Sequence, residues 1–282
     1  MKREGGEVLK LEHVTKQFGG LTAVGDVTFD IREGEIFGLI GPNGAGKTTI
    51  FNLINGVYAL SAGKILFYGK TIGAGAAEGK KALQLKPFRI AQMGITRTFQ
   101  NIRLFKNLTV YDNVLIACHR SANYGLFEPL LRLKGTRFVK QEKALKHKAE
   151  ELLDLMGLAF YRDVVSVNLP YGLQRKLEIA RALALSPKLL LLDEPAAGMN
   201  PEETDSLMQM IRSIRDDFHL TVLIIEHHMD LIMGVCDRIH VLNFGKSLLE
   251  GTPGQVQNSP AVIEAYLGVQ DGERCAVKEG EQ

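Results

Sequence analysis

Two hydrophobic periods take turns along this chain. Val8, Leu9 and Leu11, and then Val27, Phe29 and Ile31, alternate with polar neighbours as half-buried strands do, the second run ending in a turn at Glu33-Gly34. Ile36 to Ile40 is continuously apolar, the mark of a strand covered on both faces, and a helical pattern follows it from about residue 47. Lys64 to Tyr68, closed by Gly69-Lys70, predicts another strand. Residues 72–82, rich in Gly and Ala, read as a loop with a short helical piece. From about 103 to 182 the texture is helical, and Leu145, Leu152, Leu153, Leu155 and Met156 fit one apolar face. Strand-sized runs at 189–192, 220–225 and 239–242 then frame a helix at 201–218.

That last helix is specified locally. Asn200 is a natural N-cap, Pro201 suits the first helical position, and Glu202 and Glu203 meet the positive end of the dipole. Leu207, Met210, Ile211, Ile214 and Phe218 recur at three and four residues, predicting one buried stripe. Strands alternating with helices predict an α/β fold. Its core sheet is mostly parallel, with an antiparallel N-terminal portion and a helical insertion at about 103–182. The residues from about Val269 on are polar and glycine-containing and read as a disordered tail.

A chain of 282 residues can bury a full core. Lys+Arg minus Asp+Glu is 34 − 32 = +2, too balanced to point to nucleic acid. The three cysteines, Cys118, Cys236 and Cys275, lack metal-ligand spacing and read as reduced thiols. The charged start carries no apolar h-region, so no signal peptide is expected, and no run of 18 apolar residues predicts a membrane span. Residues 132–148 carry seven Lys/Arg against Glu142; a solvated face is the simpler reading over one against anionic lipid.

The candidate chemistry sits where strands end. After Ile40 comes Gly41-Pro42-Asn43-Gly44-Ala45-Gly46-Lys47-Thr48-Thr49, a phosphate-binding loop between strand and helix. Its glycines let backbone N–H groups curl round a polyphosphate. Lys47 is the mobile cation for the terminal phosphates, and Thr48 offers a hydroxyl to Mg²⁺. Four leucines (189–192) then deliver Asp193 and Glu194 at the carboxyl end of a central strand, where open α/β sheets bind ligands. Asp193 can hold Mg²⁺ and Glu194 can polarise an attacking water.

With Leu169-Pro170-Tyr171-Gly172-Leu173 opening a helical run through Leu183, the chain resembles the ATP-binding subunits of ABC transporters over about residues 7–268. The resemblance implies a P-loop NTPase fold with ATP and Mg²⁺. It implies Phe18 against adenine and residues 41–49 around the phosphates. Lys47, Gln100, Glu194 and His227 would act in hydrolysis, with Thr48, Gln100 and Asp193 about the metal. Leu169, Pro170, Tyr171, Gly172 and Leu173 would face a partner's nucleotide. Phe18 to Val24, Arg97 to Phe105 and Asp193 to Pro201 look most like cassettes of branched-chain amino-acid importers, as does the ending Ala265-Tyr266-Leu267-Gly268. Similar cassettes serve urea and other amides, and others export lipid or polysaccharide. The implied partners are a second cassette, identical or different, membrane-spanning permease subunits and, indirectly, a solute-binding protein. The implied place is the inner face of the cell membrane.

Four positions depart from the pattern. Pro170 and Leu173 stand where the usual signature has Ser and Gln, and Tyr171 replaces its first Gly. His228 follows the switch histidine where Asp is usual. Two other classes fit worse. A soluble ABC factor acting on ribosomes or DNA would bring a second P-loop or sustained heptads, and neither is found. A GTP switch would bring Asn-Lys-x-Asp, which is missing.

Overall fold

The apolar runs become the middle of a six-stranded sheet. In this computed structural model, which describes residues 6–76, 81–120 and 137–267, β3 (Ile36–Ile40), β8 (Leu189–Asp193) and β9 (Thr221–Ile225) are buried at every residue. The order is β11-β10-β3-β9-β8-β7, with β7 at Ile95–Arg97, β10 at Arg238–Asn243 and β11 at Lys246–Gly251. Pairing is parallel from β10 to β7, and only β11 runs antiparallel. Side chains alternate across the sheet as a period of two requires. Leu189 and Leu191 enter one core with Phe37 and Leu223, while Leu190 and Leu192 enter a second with Val222 and Ile224.

The first core lies between this sheet and a five-stranded antiparallel one, ordered β2-β1-β4-β5-β6. Its strands are β1 (Glu7–Phe18), β2 (Leu21–Arg32), β4 (Ala62–Phe67), β5 (Lys70–Ala74) and β6 (Leu83–Gln84). Helix α1 (Lys47–Ile54) packs Ile50, Phe51, Leu53 and Ile54 into that core. The second core is covered by α3 (Val110–His119), α4 (Arg137–Leu155), α5 (Tyr171–Ala184), α6 (Pro201–Phe218) and α7 (Met229–Val235). Between β6 and β7 lies α2 (Pro87–Met93), and after β11 comes α8 (Pro253–Gln257).

The expected architecture is present, with local differences. β5 spans Lys70–Ala74, so 72–74 are strand where a loop was expected, and no helix lies among the described residues of 72–82. Ile72 is buried there and pairing with β4 supplies the ladder, so sheet contacts override a Gly/Ala texture that carries little propensity. Leu145, Leu152, Leu153 and Met156 of the expected α4 face are buried, but Leu155 is exposed. It lies about 100° round the helix from the centre of that stripe. In α6, Leu207, Ile211 and Ile214 are buried and Met210 half-buried. Phe218 keeps the phase of the stripe, yet as the last helical residue it is exposed. Residues 269–282, Cys275 and part of the basic segment at 132–148 lie outside the described residues. Among the described residues, no helix is long and apolar enough to cross a membrane.

The start of α6 is held by the expected cap. The Asn200 side chain accepts from the Glu203 N–H at 2.9 Å, and the Glu203 carboxylate accepts from the Asn200 N–H at 3.0 Å. Replacing Asn200 by Ala should cost about 1 kcal/mol of stability. Urea unfolding of the single variant checks this: the midpoint should fall while the slope stays constant.

Candidate functional site

The loop between β3 and α1 is fixed by two close backbone approaches. Gly41 has φ 150° and Gly46 has φ 99°. A Cβ would lie 2.2 Å from the Leu242 carbonyl oxygen at the first and 2.6 Å from the Ala23 carbonyl oxygen at the second, so only glycine fits either place. The loop is tied further by N–H bonds from Ala45 to the Pro42 carbonyl (3.1 Å) and from Gly245 to the Ala45 carbonyl (3.1 Å). Asn43, Gly44 and Thr48 are exposed, and Thr49 is half-buried. Lys47 begins α1 and turns its ammonium back onto the Gly41 (2.5 Å) and Pro42 (3.0 Å) carbonyls. Burial pushes its pKa down to about 8, and the charge of Glu194 pulls it partly back up. The result is a cation in a backbone cradle at a helix N-terminus, a geometry suited to phosphate.

Two carboxylates close the site from the end of β8. Asp193 ends β8 and is nearly buried; its Oδ2 accepts from the Arg97 guanidinium at 2.5 Å. Glu194 sits one residue beyond with φ 47°, a left-handed conformation that a non-glycine residue adopts only when its surroundings enforce it. The enforcing contacts converge on its carboxylate. Gln100 donates from Nε2 to Oε2 (2.6 Å), and the Nε2 of His227 lies 2.7 Å from Oε1. The Glu194 N–H bonds the Ile225 carbonyl at the end of β9 (2.9 Å). Lys47, Gln100, Glu194 and His227, expected together from the resemblance, are thus brought together.

Three residues that the sequence reading missed support this arrangement. Glu226 is buried and accepts from the Ala196 N–H (2.7 Å) and the His227 N–H (2.8 Å), with His228 Nδ1 3.1 Å away. Arg175, fully buried in α5, donates to the carbonyls of Phe99 (2.6 Å) and Gln100 (2.8 Å) and to Glu178 (2.9 Å). Glu178 in turn accepts from the Phe99 N–H at 3.2 Å. Burial raises the pKa of Glu178 and Arg175 opposes that shift. The loop carrying Gln100 therefore hangs from α5 by its backbone and from Glu194 by its side chain. A charged residue inside an otherwise apolar helical stripe was the available signal for Arg175.

The signature segment opens α5. Leu169 is buried, Pro170 takes the N-cap position with φ −51° and Tyr171 is exposed. Proline suits that φ, and its carbonyl still accepts the first helical bond from the Gln174 N–H (3.0 Å). Gly172 faces Glu203, whose Oε1 would lie 2.9 Å from an added Cβ, and Leu173 is half-buried against the second core. Phe18 ends β1, exposed, edge-on to Tyr58 at 5.2 Å with the Lys16 ammonium 4.7 Å above its ring. Among the described residues, no ring contact or hydrogen bond ties Phe18 to the loop at 41–49.

A divalent cation fits this set on chemical grounds. Thr48 offers a hydroxyl, Gln100 an amide oxygen left over from its bond to Glu194, and Asp193 its Oδ1, which takes no hydrogen bond among the described residues. Hard oxygen donors in small number, completed by phosphate oxygens, suit Mg²⁺. Beside the site, an apolar cleft of about 530 Å³ opens between β7, α2, α3 and α5. Phe99, Phe105 and Ile116 line it with Arg103, Arg120 and Arg181.

Comparison with known proteins gives a consistent pattern. The ABC transporter family profile matches residues 24–197, and one described as branched-chain amino acid ATP-binding cassette transporter matches residues 248–272. The chain is 44% identical over 261 residues to the high-affinity branched-chain amino acid transport ATP-binding protein LivG of Escherichia coli K12, covering 93% of this chain and 98% of that protein. It is 41% identical over 261 residues to BraF of Pseudomonas aeruginosa, described in the same terms, with the same coverage. Among solved structures, it resembles the ADP conformation of MJ1267, an ATP-binding cassette of an ABC transporter, with TM-score 0.78 and 29% identity over 93% of this chain and 99% of that one.

The Lys47 pKa of about 8 sets a pH dependence for nucleotide binding. Phosphates bind the charged ammonium, which is fully present well below pH 8 and lost in the free protein as pH rises through about 8. Affinity for a fluorescent ATP analogue should be flat below pH 8 and then fall by about tenfold per unit until the bound-state pKa is reached. Lys47→Arg should flatten the profile, and a wild-type profile flat to pH 10 would contradict the assignment.

Proposed function

The chain belongs to the ABC transporter family of ATP-binding cassettes, and from that premise we propose that it hydrolyses ATP to drive uptake of branched-chain amino acids through separate membrane subunits. The observation that carries the hydrolysis is the convergence of Gln100 and His227 on Glu194, within electrostatic reach of Lys47. Residues 41–49 hold the phosphates through backbone N–H groups, with Lys47 turned from its own carbonyls to the terminal phosphates. Asp193, Thr48 and Gln100 would hold Mg²⁺, which would neutralise charge on the phosphate oxygens. Glu194 accepts a hydrogen bond from water and aims it at the terminal phosphorus, while His227 fixes the carboxylate. No covalent intermediate is needed, since positioning and electrostatics suffice for phosphoryl transfer. Phe18, at the exposed end of β1, stacks on adenine.

One P-loop and one signature segment make two halves of different composite sites, so two cassettes close face to face. Leu169 to Leu173 then face the partner's nucleotide. Pro170 supplies neither hydroxyl nor N–H, and Leu173 no amide, so when the partner is a different cassette with an intact signature, the site they complete is the slower of the two. Separate membrane subunits hold the chain peripherally at the inner face of the membrane. The branched-chain substrate rests on the names of LivG and BraF and on the match at residues 248–272. Selection of the solute falls to the membrane subunits and a solute-binding protein.

Glu194→Gln keeps the shape and removes the charge that orients water. In the assembled transporter, it should lower ATP turnover by about 10²-fold or more while ATP binding persists. Near-normal turnover would sink the assignment. The cargo is read from ATPase stimulation by the cognate solute-binding protein across a panel. Leucine, isoleucine and valine should stimulate, whereas stimulation by urea alone, or by a lipid substrate in its place, would redirect the proposal.

A further inference from the structure

One side chain touches the metal-binding carboxylate, the phosphate-loop helix and the apolar cleft together. Arg97, the last residue of β7, has 9% of its side chain exposed. Its Nη2 bonds Asp193 Oδ2 at 2.5 Å and its Nη1 bonds Asn52 Oδ1 on α1 at 2.7 Å. The guanidinium carbon lies 5.4 Å from the ring centres of both Phe51 and Phe99, so the group is sandwiched as well as bonded. Its remaining nitrogen, Nε, is buried with no partner, and the side chain lines the cleft. No other cation pairs with Asp193 among the described residues.

A buried carboxylate that already has a cation bonded to one oxygen presents less negative charge to a second cation. The guanidinium is fixed by Asn52 and the two rings and cannot leave without losing those contacts. We propose that Arg97 is a positioning residue, a resident counter-ion that holds Asp193 with Oδ1 turned to the phosphates and keeps its affinity for a divalent cation low. The cation then binds strongly only together with nucleotide phosphates and leaves with the product nucleotide. The proposal rests on the reading that Asp193 is a metal ligand. It differs from a purely structural role in the sign of its effect. Loss of packing or carboxylate orientation alone would weaken metal binding, whereas loss of a nearby positive charge strengthens it, because repulsion between cations a few ångströms apart outweighs a rotamer preference.

The test uses Mn²⁺ as the probe, with the full chain and ADP, and reads free Mn²⁺ by electron paramagnetic resonance. Arg97→Gln should bind Mn²⁺ about tenfold more tightly than the wild type, and release of the bound ion should slow in proportion. Arg97→Lys keeps the charge and loses the fork, and it should stay within about twofold of wild type. Arg97→Met, whose unbranched chain can occupy the space between Phe51 and Phe99, makes the same comparison should the Gln variant not fold. Unchanged or weaker Mn²⁺ binding in the charge-removing variants would overturn the proposal. Asp193→Asn is the control for the underlying reading. If it leaves Mn²⁺ affinity unaltered, Asp193 is not the metal ligand; if it weakens binding while Arg97→Gln has no effect, only the counter-ion role fails.

Discussion

The geometry of the site depends on one carboxylate held by several neighbours. Glu194 lies just past the end of β8, in a left-handed conformation that costs about 1–3 kcal/mol at a non-glycine residue. It is kept there by the Ile225 carbonyl, Gln100 and His227. Those partners come from the end of β9 and the loop after β7, and both strands flank β8 in the sheet. The strand order therefore determines which motifs can meet. With β3 beside β9 as well, the loop at 41–49, His227 and the acidic pair all open at the carboxyl edge of neighbouring strands.

The charges beneath this edge act as fasteners. Arg97 joins Asp193 to α1, Arg175 with Glu178 joins α5 to the loop of Gln100, and Glu226 gathers the N–H groups of Ala196 and His227. Each is a buried or nearly buried charge held by several hydrogen bonds, which is how such groups specify position, although the Nε of Arg97 and of Arg175 is left without a partner. One consequence concerns α5. Its first residues are the signature segment, and its Arg175 holds the Gln100 backbone, so any shift of that helix moves Gln100 relative to Glu194.

Much of this was legible in the sequence because motif chemistry is local. A glycine-rich loop after an apolar strand, Asp-Glu after four leucines and Asn-Pro-Glu-Glu at a helix start each have one low-energy arrangement, and the structure adopts it. What stayed illegible depends on tertiary context. Residues 70–74 carry no strand signal of their own and become β5 by pairing with β4. Leu155 and Phe218 looked like core residues by spacing, yet one sits on the flank of its helix and the other at its end. The supporting roles of Arg97, Arg175 and Glu226 were not singled out, since their partners arrive from segments distant in sequence. Pro170 looked damaging by chemistry, while the fold accommodates it at an N-cap whose φ a proline already has.

If Glu194, Gln100 and His227 form one unit, their contributions to hydrolysis cannot be independent. The most direct measurement is a double-mutant cycle in the assembled transporter, comparing ATP turnover in Gln100→Ala, His227→Ala and the pair. The double variant should be little slower than the slower single variant, because either loss already frees the carboxylate. Effects that multiply, with the double loss equal to the product of the two single losses, would contradict the account.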